Sequence, residues 1–435
     1  MPKDCIFVFC IMESAREEIL SGVRAHVPAL GLKMNGEPLV YLDNAATTQK
    51  PLTVLNFLSD ALREGNANVH RSMYALSDRS TEAYEAAREK VRAFINAPSR
   101  ENVIFTSGTT ASINLVADTF CRRLGKGDVV LIEADSHHSN IVPWQLAAER
   151  TGAFVKVIPT DVLLGIGRSG RVAAEEVDNL LDDKVKILAI TQISNITGFL
   201  NPVSEIIAKA HAKGIPVLVD GAQGIVHGGV DVREMDCDFY AFSAHKIYGA
   251  TGVGILYGKK EMLESLPPYM GGGDMVETVT YAKTTYAPLP LRFEAGTPNF
   301  IGAASLLPAL EFAEYLSSGE TGKVIKEEEA RITGYMLERL TKDPLVELYG
   351  NPALCEGVRK APIFTFNIKG INAGDLAQLL DKMGVAVRSG MMCAEPLLNS
   401  FGVPSALRAS FAPYNTLEEA EFLVRCLDRA RAMLL

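Results

Sequence analysis

Between about residues 103 and 260, short apolar runs alternate with stretches in which apolar side chains recur at helical spacing. The runs are VIF, VVLIEA, VKILAITQIS, PVLVD, DFYAFS and GVGILY. Near-continuous apolar runs read as strands buried on both faces, and their alternation with helical patterns predicts an α/β domain with a mostly parallel sheet covered by helices. In such sheets ligands sit beyond the carboxyl ends of the strands, so polar residues at those points carry the search for chemistry.

Upstream of this core, PLTVLNFLSDALREG and STEAYEAAREKVRAFIN have amphipathic helical patterns, and the polar segment NANVHRSMYALS between them is a candidate substrate wall. Downstream, the glycine-rich YMGGGDM and the proline-punctuated stretch ending in RFEAGTPNF mark a hinge. The remaining chain predicts a smaller α+β domain. Its elements are a strand in APIFTFNI, a helix in AGDLAQLLDKMG, a strand in VAVRSG and a last helix opened by the capping box Thr416-Leu-Glu-Glu419. The expected division is 1–40 for an N-terminal extension and helix joining the small domain, 41–300 for the large domain and 301–435 for the small one.

The 435 residues are 48% apolar and 22% charged, which suits a globular enzyme rather than a disordered or fibrous chain. A net charge of −9 with no basic stripe argues against nucleic acid and against anionic membrane surfaces. Seven cysteines at 5, 10, 121, 237, 355, 393 and 426 form neither a C-x-x-C metal pair nor a dense disulfide framework, so no metal is expected and a reducing cytoplasm is. Near the N-terminus CIFVFCIM is too short to span a membrane and lacks a basic flank. MESAREEIL starts a helical pattern, so residues 1–11 are expected to be dispensable.

Candidate chemistry collects at the strand ends. Ser107-Gly-Thr-Thr110 follows VIFT and precedes a helical pattern, an arrangement suited to cradling an anion or to an ordinary helix cap. His137 and His138 follow the second run, Asn195 the third, Asp220 and Gln223 the fourth, and Ser243, His245 and Lys246 the fifth. Together they suit pyridoxal 5'-phosphate (PLP): a lysine amine to form an imine with its aldehyde, and an aspartate to keep its ring nitrogen protonated. An imidazole such as His137 can stack on the ring, and Gln223 can reach the ring hydroxyl.

From about Tyr41 to the C-terminus the chain resembles the SufS-type (group II) cysteine desulfurases, in the class V aminotransferase group of fold-type-I PLP enzymes. The resemblance is carried in family order by YLDNAATTQKP, NVHRSMYALS, SGTTASINLVA, SHHSNIVPWQ, ISNITGFLNP, VLVDGAQ, DFYAFSAHKIYGATGVGILY, RFEAGTPN, RSGMMCAEPLL and RASFAPYNT. It implies a large domain with a seven-stranded sheet, Lys246 linked to PLP, Asp220 at the ring nitrogen, His137 stacked, and Gln223 at the hydroxyl. Thr110, Ser243 and His245 would hold the phosphate, Thr109 would contact the cofactor, and Asn195 the cofactor and substrate. Thr297 would reach the neighbouring subunit's phosphate, which implies a homodimer. Arg408 would clamp the substrate carboxylate, assisted by Asn195 and Arg388, with His70 and Arg71 at the entrance. Cys393 would receive sulfur as a persulfide and pass it to a sulfur carrier or iron–sulfur scaffold protein. Cys121, Cys237 and Cys426 read as buried apolar residues instead.

The implied reaction converts L-cysteine to L-alanine. Rival readings are a selenocysteine lyase of the same fold, an aminotransferase and a non-catalytic PLP-fold scaffold; the cysteine in the acceptor loop opposes the second, and retention of both Lys246 and Cys393 opposes the third. Met391 and Met392 depart from the histidines common before the acceptor cysteine, and a thioether can neither donate a proton nor stabilise a thiolate.

Overall fold

The computed structural model describes residues 15–70, 73–355 and 357–435. The seven-stranded sheet comprises β1 (Val103–Thr106), β2 (Val129–Glu133), β3 (Phe154–Ile158), β4 (Val185–Thr191), β5 (Val217–Asp220), β6 (Phe239–Ser243) and β7 (Gly254–Gly258). Its order is β1-β7-β6-β5-β4-β2-β3, parallel except where β7 runs antiparallel to β1 and β6. Five strands, β2 and β4 to β7, are almost wholly buried, as their unbroken apolar runs require. The pattern missed β3: FVKVI is an edge strand with Phe154 and Lys156 facing water, so it carries no continuous apolar run.

The flanking helices Leu52–Glu64 and Ala75–Phe94 form where the amphipathic patterns predict, but the second starts five residues earlier. The last three residues of NANVHRSMYALS thus belong to a helix, and Ser77 turns inward to donate to the Asn68 carbonyl at 2.6 Å. The buried Arg88 on this helix makes two hydrogen bonds to Glu294, at 2.6 and 2.9 Å, while Glu294 also accepts from Tyr84 and from the Phe105 amide. Breaking such a buried pair costs about 3–5 kcal/mol, so the RFEAGTPN segment is tied firmly to β1.

The smaller sheet is antiparallel, with β8 (Val346–Tyr349), β9 (Ile363–Ile368), β10 (Arg388–Gly390) and β11 (Ala406–Ser410) in the order β8-β9-β11-β10. VAVRSG splits into two strands, because Val385–Ala386 leaves this sheet to pair with Val40–Tyr41. The last helix, Leu417–Leu434, opens with the Glu419 carboxylate accepting from the Thr416 amide at 3.1 Å. Packing divides the chain later than residue 300: Leu306, Leu310 and Val324 join the large core, whereas Ile332, Met336 and Leu340 join the small one. The helix Gly319–Lys342 therefore spans both cores. Leu20, Val23 and Val27 near the start also pack into the large core, while Arg24 reaches Glu419 at 2.9 Å. Among the described residues no helix is long and apolar enough to cross a membrane. Residues 1–11, with Cys5 and Cys10, lie outside the described residues.

Candidate active site

A cavity of about 270 Å³ opens beyond the carboxyl ends of β1, β2, β4, β5 and β6, where the small domain closes over the large sheet. The large domain delivers Thr109, Thr110, His137, Asn195, Asp220, Gln223, Ser243, His245 and Lys246; the small domain delivers Arg388, Cys393 and Arg408. The register explains the convergence, since Thr191 at the end of β4 stands opposite Asp220 at the end of β5, and both line the cavity.

Lys246 sits just past β6 in a short turn, Ala244–Lys246, and its amine has no hydrogen-bond partner among the described residues. Burial lowers its pKa to about 8, with the Arg408 charge adding to the effect and Asp220 opposing it. A sizeable neutral fraction near neutrality makes the amine a nucleophile and a base. Asp220 is buried, and one of its oxygens accepts from the Ala222 amide at 3.0 Å; the other has no partner among the described residues. Burial raises its pKa, while the Ala222 amide and the Lys246 charge lower it. A carboxylate so placed lacks a cationic N–H partner, which a protonated ring nitrogen would supply. Burial, then Lys246, pushes the His137 pKa down to about 3, so the ring is neutral. Its Nδ1 accepts from the Ser139 amide at 3.1 Å, which puts the proton on Nε2. Gln223 is fixed by donating to the Ala45 carbonyl at 2.7 Å, leaving its Oε1 as an acceptor.

The SGTT segment is not a side-chain helix cap. Gly108 is the N-cap of Thr109–Cys121 and makes no side-chain cap bond. The Thr109 hydroxyl instead meets Ser243 Oγ at 2.7 Å and the Thr110 hydroxyl meets Ser139 Oγ at 2.7 Å, so hydroxyls and the amide groups of a helix start share one rim. Gly254 lets the backbones close here, because a Cβ on it would lie 2.4 Å from Gly108 Cα. His245, lowered to about 4 by burial and the charges of Lys246 and Lys50, adds a neutral imidazole. Hydroxyls, amides and a helix N-terminus suit a phosphate ester, and the set as a whole fits PLP.

The YLDNAATTQKP segment straps across the site. The His245 carbonyl accepts from Thr47, from Thr48 and from Lys50 Nζ, the last at 2.9 Å, which fixes the turn that carries Lys246. Asp43 holds both arginines: Arg388 Nε and Nη2 lie 3.1 and 3.0 Å from its Oδ2, and Arg408 Nη2 lies 3.2 Å from Oδ1. Two guanidinium groups facing one carboxylate leave about one positive charge over, suited to one incoming carboxylate. The buried Arg408 also donates to the Asn195 carbonyl at 3.1 Å, and its Nε has no partner among the described residues. Sequence reasoning missed Asp43, although its position two residues after the strand Val40–Tyr41 follows the strand-end rule used elsewhere.

Cys393 is exposed and lines the cavity from a tight turn, in which the Ala394 amide donates to the Met391 carbonyl at 3.0 Å. Its central residues Met392 and Cys393 have φ of +49° and +56°. A left-handed pair is the geometry of Asn-Gly turns, and for other residues each costs about 1–2 kcal/mol. The Met392 side chain is buried in an apolar cluster with Ile196, Leu397 and Leu398, whereas Met391 is exposed. Asn195 Nδ2 donates to the Met392 carbonyl at 2.9 Å, so Asn195 holds the acceptor loop as well as lining the cavity. Cys121, Cys237 and Cys426 are buried, as expected.

Two predicted residues lie outside the cavity. The partly buried His70 ring lies 3.3 Å from Glu85 and edge-on to Tyr84, on backbone with φ +73°. Thr297 is exposed on the loop anchored by Glu294. Arg71 lies outside the described residues.

Residues 40–423 match the family Aminotransferase class-V. The chain is 45% identical over 414 residues to a cysteine desulfurase of Pectobacterium carotovorum subsp. carotovorum (strain PC1), covering 95% of this chain and 98% of the relative. It superposes on the crystal structure of the cysteine desulfurase CsdA from Escherichia coli with a TM-score of 0.85 at 38% identity, covering 96% of this chain and 99% of the other. A cysteine desulfurase of Thermococcus onnurineus NA1, in its apo structure, gives 0.85 at 31% identity, covering 94% and 97%. With its strand-end cavity, its lysine and its matched length, the chain belongs to the class-V aminotransferase family and, within it, to the cysteine desulfurases.

Proposed function

We propose that this protein is a PLP-dependent enzyme that moves sulfur from L-cysteine to its own Cys393, releasing L-alanine. One observation carries the reading: an exposed thiol on a small-domain turn and a lysine amine without a hydrogen-bond partner among the described residues line the same cavity, beside two arginines that carry one charge more than Asp43 balances. When bound, pyridoxal 5'-phosphate supplies an aldehyde for covalent capture of an amine and an electron sink for the substrate α-carbon.

The chain's own residues do the rest. Thr109, Thr110, Ser243 and His245 hold the phosphate, His137 lies against the ring as a neutral imidazole, Gln223 accepts from the ring hydroxyl, and Asp220 holds a proton at the ring nitrogen. Arg408 and Arg388 bind the substrate carboxylate beside Asp43, which orients the α-proton towards Lys246 Nζ; Lys246 removes it and later returns a proton to carbon. The Cys393 thiolate attacks the substrate sulfur. An S–S bond forms as Cβ–S breaks, the electron pair of that bond stays on carbon and is protonated, and alanine leaves; both sulfurs are oxidised to the persulfide level and the carbon is reduced. Cys393–S–SH then passes its outer sulfur to a carrier or iron–sulfur scaffold protein. The family likeness, and the exposed Thr297 on its anchored loop, support a homodimer in which Thr297 reaches the partner subunit's phosphate site, and a set of unpaired cysteines fits the cytoplasm.

The test is to incubate the purified protein with PLP, L-cysteine and excess thiol reductant. Alanine and sulfide should appear in equal amounts. Sulfide accompanied by pyruvate in place of alanine, or alanine without sulfide, would overturn the reading.

A further inference from the structure

We infer that His138 is a positioning residue for sulfur transfer, holding the Cys393 turn over the cavity from the opposite domain; the inference rests on the function proposed above. The turn's own bond, from the Ala394 amide to the Met391 carbonyl, contributes less than the strain of Met392 and Cys393, both left-handed without being glycine or asparagine. Its restraints come from outside. The carbonyls of the two strained residues are taken by large-domain donors: Met392 by Asn195 Nδ2 at 2.9 Å and Cys393 by the His138 amide at 2.7 Å.

His138 bonds the loop a second time beyond the cysteine. Its ring Nε2 accepts from the Glu395 amide at 3.1 Å, the first N–H of the helix Glu395–Ser400. Ala394, the N-cap of that helix, has no hydroxyl or carboxylate and makes no side-chain cap bond, so the imidazole does the capping from across the domain interface. One residue thus bonds the chain at Cys393 and again two residues on, while the thiol stays exposed towards the cavity. His137 accepts from the Ser139 amide at Nδ1 and lines the cavity, whereas His138 bonds the acceptor loop, so the adjacent histidines divide the work.

The histidine-to-alanine change removes the ring bond and leaves the backbone one. In His138→Ala, sulfur appearing on Cys393 in a single turnover should slow about tenfold, the effect of losing about one net hydrogen bond that holds a reactive geometry. Exchange of the substrate α-proton with solvent, which needs Lys246 but not the acceptor turn, should stay within about twofold of the unaltered protein. His138→Gln should restore most of the transfer rate, because Oε1 reaches about as far as Nε2 and can accept from the Glu395 amide. Equal slowing of proton exchange and sulfur transfer, an unchanged transfer rate in His138→Ala, or no recovery in His138→Gln would overturn the inference. Failure of the unaltered protein to form alanine would instead overturn the function on which it rests.

Discussion

Lys246→Ala is expected to bind PLP without the visible absorbance of a lysine link and to lose alanine formation by at least about 10⁴-fold. The amine does two jobs, covalent capture and proton transfer, and general acid–base catalysis alone contributes about 10²–10⁴-fold. Substitution by a neighbour is sterically and chemically closed. The lysine nearest in the strap, Lys50, has its Nζ committed to the Thr48 and His245 carbonyls at 2.7 and 2.9 Å. Among the described residues Lys246 is the one lysine lining the cavity, and none of the other lining side chains carries an amine that could form an imine. Cofactor should still enter, since the hydroxyl and amide rim around Thr109 and Ser243 is untouched, but it should wash out on gel filtration. A variant with the normal absorbance and turnover would remove Lys246 from the site.

Asp220→Ala should keep the lysine link yet slow exchange of the substrate α-proton by about 100-fold. A hydrogen bond to a charged group contributes about 1.5–3 kcal/mol, and each 1.4 kcal/mol is a factor of ten in rate. Asp220 is buried at the end of β5 with one oxygen unpartnered among the described residues, so no water-exposed carboxylate takes over when it is removed. Asp220→Asn is expected to be nearly as slow, because an amide fills the space without stabilising a protonated nitrogen. Proton exchange at the unaltered rate in both variants would show that the ring nitrogen needs no anion here.

Much of this site was legible because parallel sheets bury their strands and leave chemistry at one rim. Asp220, Ser243 and Lys246 could be found by walking off the ends of apolar runs. Strand β3 was passed over because Lys156 interrupts its apolar run, which an edge strand with exposed positions tolerates. The boundary between domains was hidden for another reason: the helix Gly319–Lys342 is continuous in pattern and changes only the core it packs against. The roles of Asp43 and His138 depend on distant partners, Arg388 and Arg408 in one case and Glu395 in the other, more than 250 positions away in the chain. Local patterning holds no trace of such pairings. His70 is held locally instead, its ring against Glu85 and Tyr84 and outside the lining of the chain's own cavity.

Sulfur on Cys393 is the central claim, and mass spectrometry of the protein after one turnover tests it most directly. With substoichiometric L-cysteine and no reductant, the peptide containing Cys393 should gain the mass of one sulfur atom in proportion to the alanine released, and a thiol reductant should remove it. The Cys393→Ser protein should show no such gain at any cysteine. Alanine released with Cys393 unmodified, or sulfur found on Cys355 instead, would contradict the account.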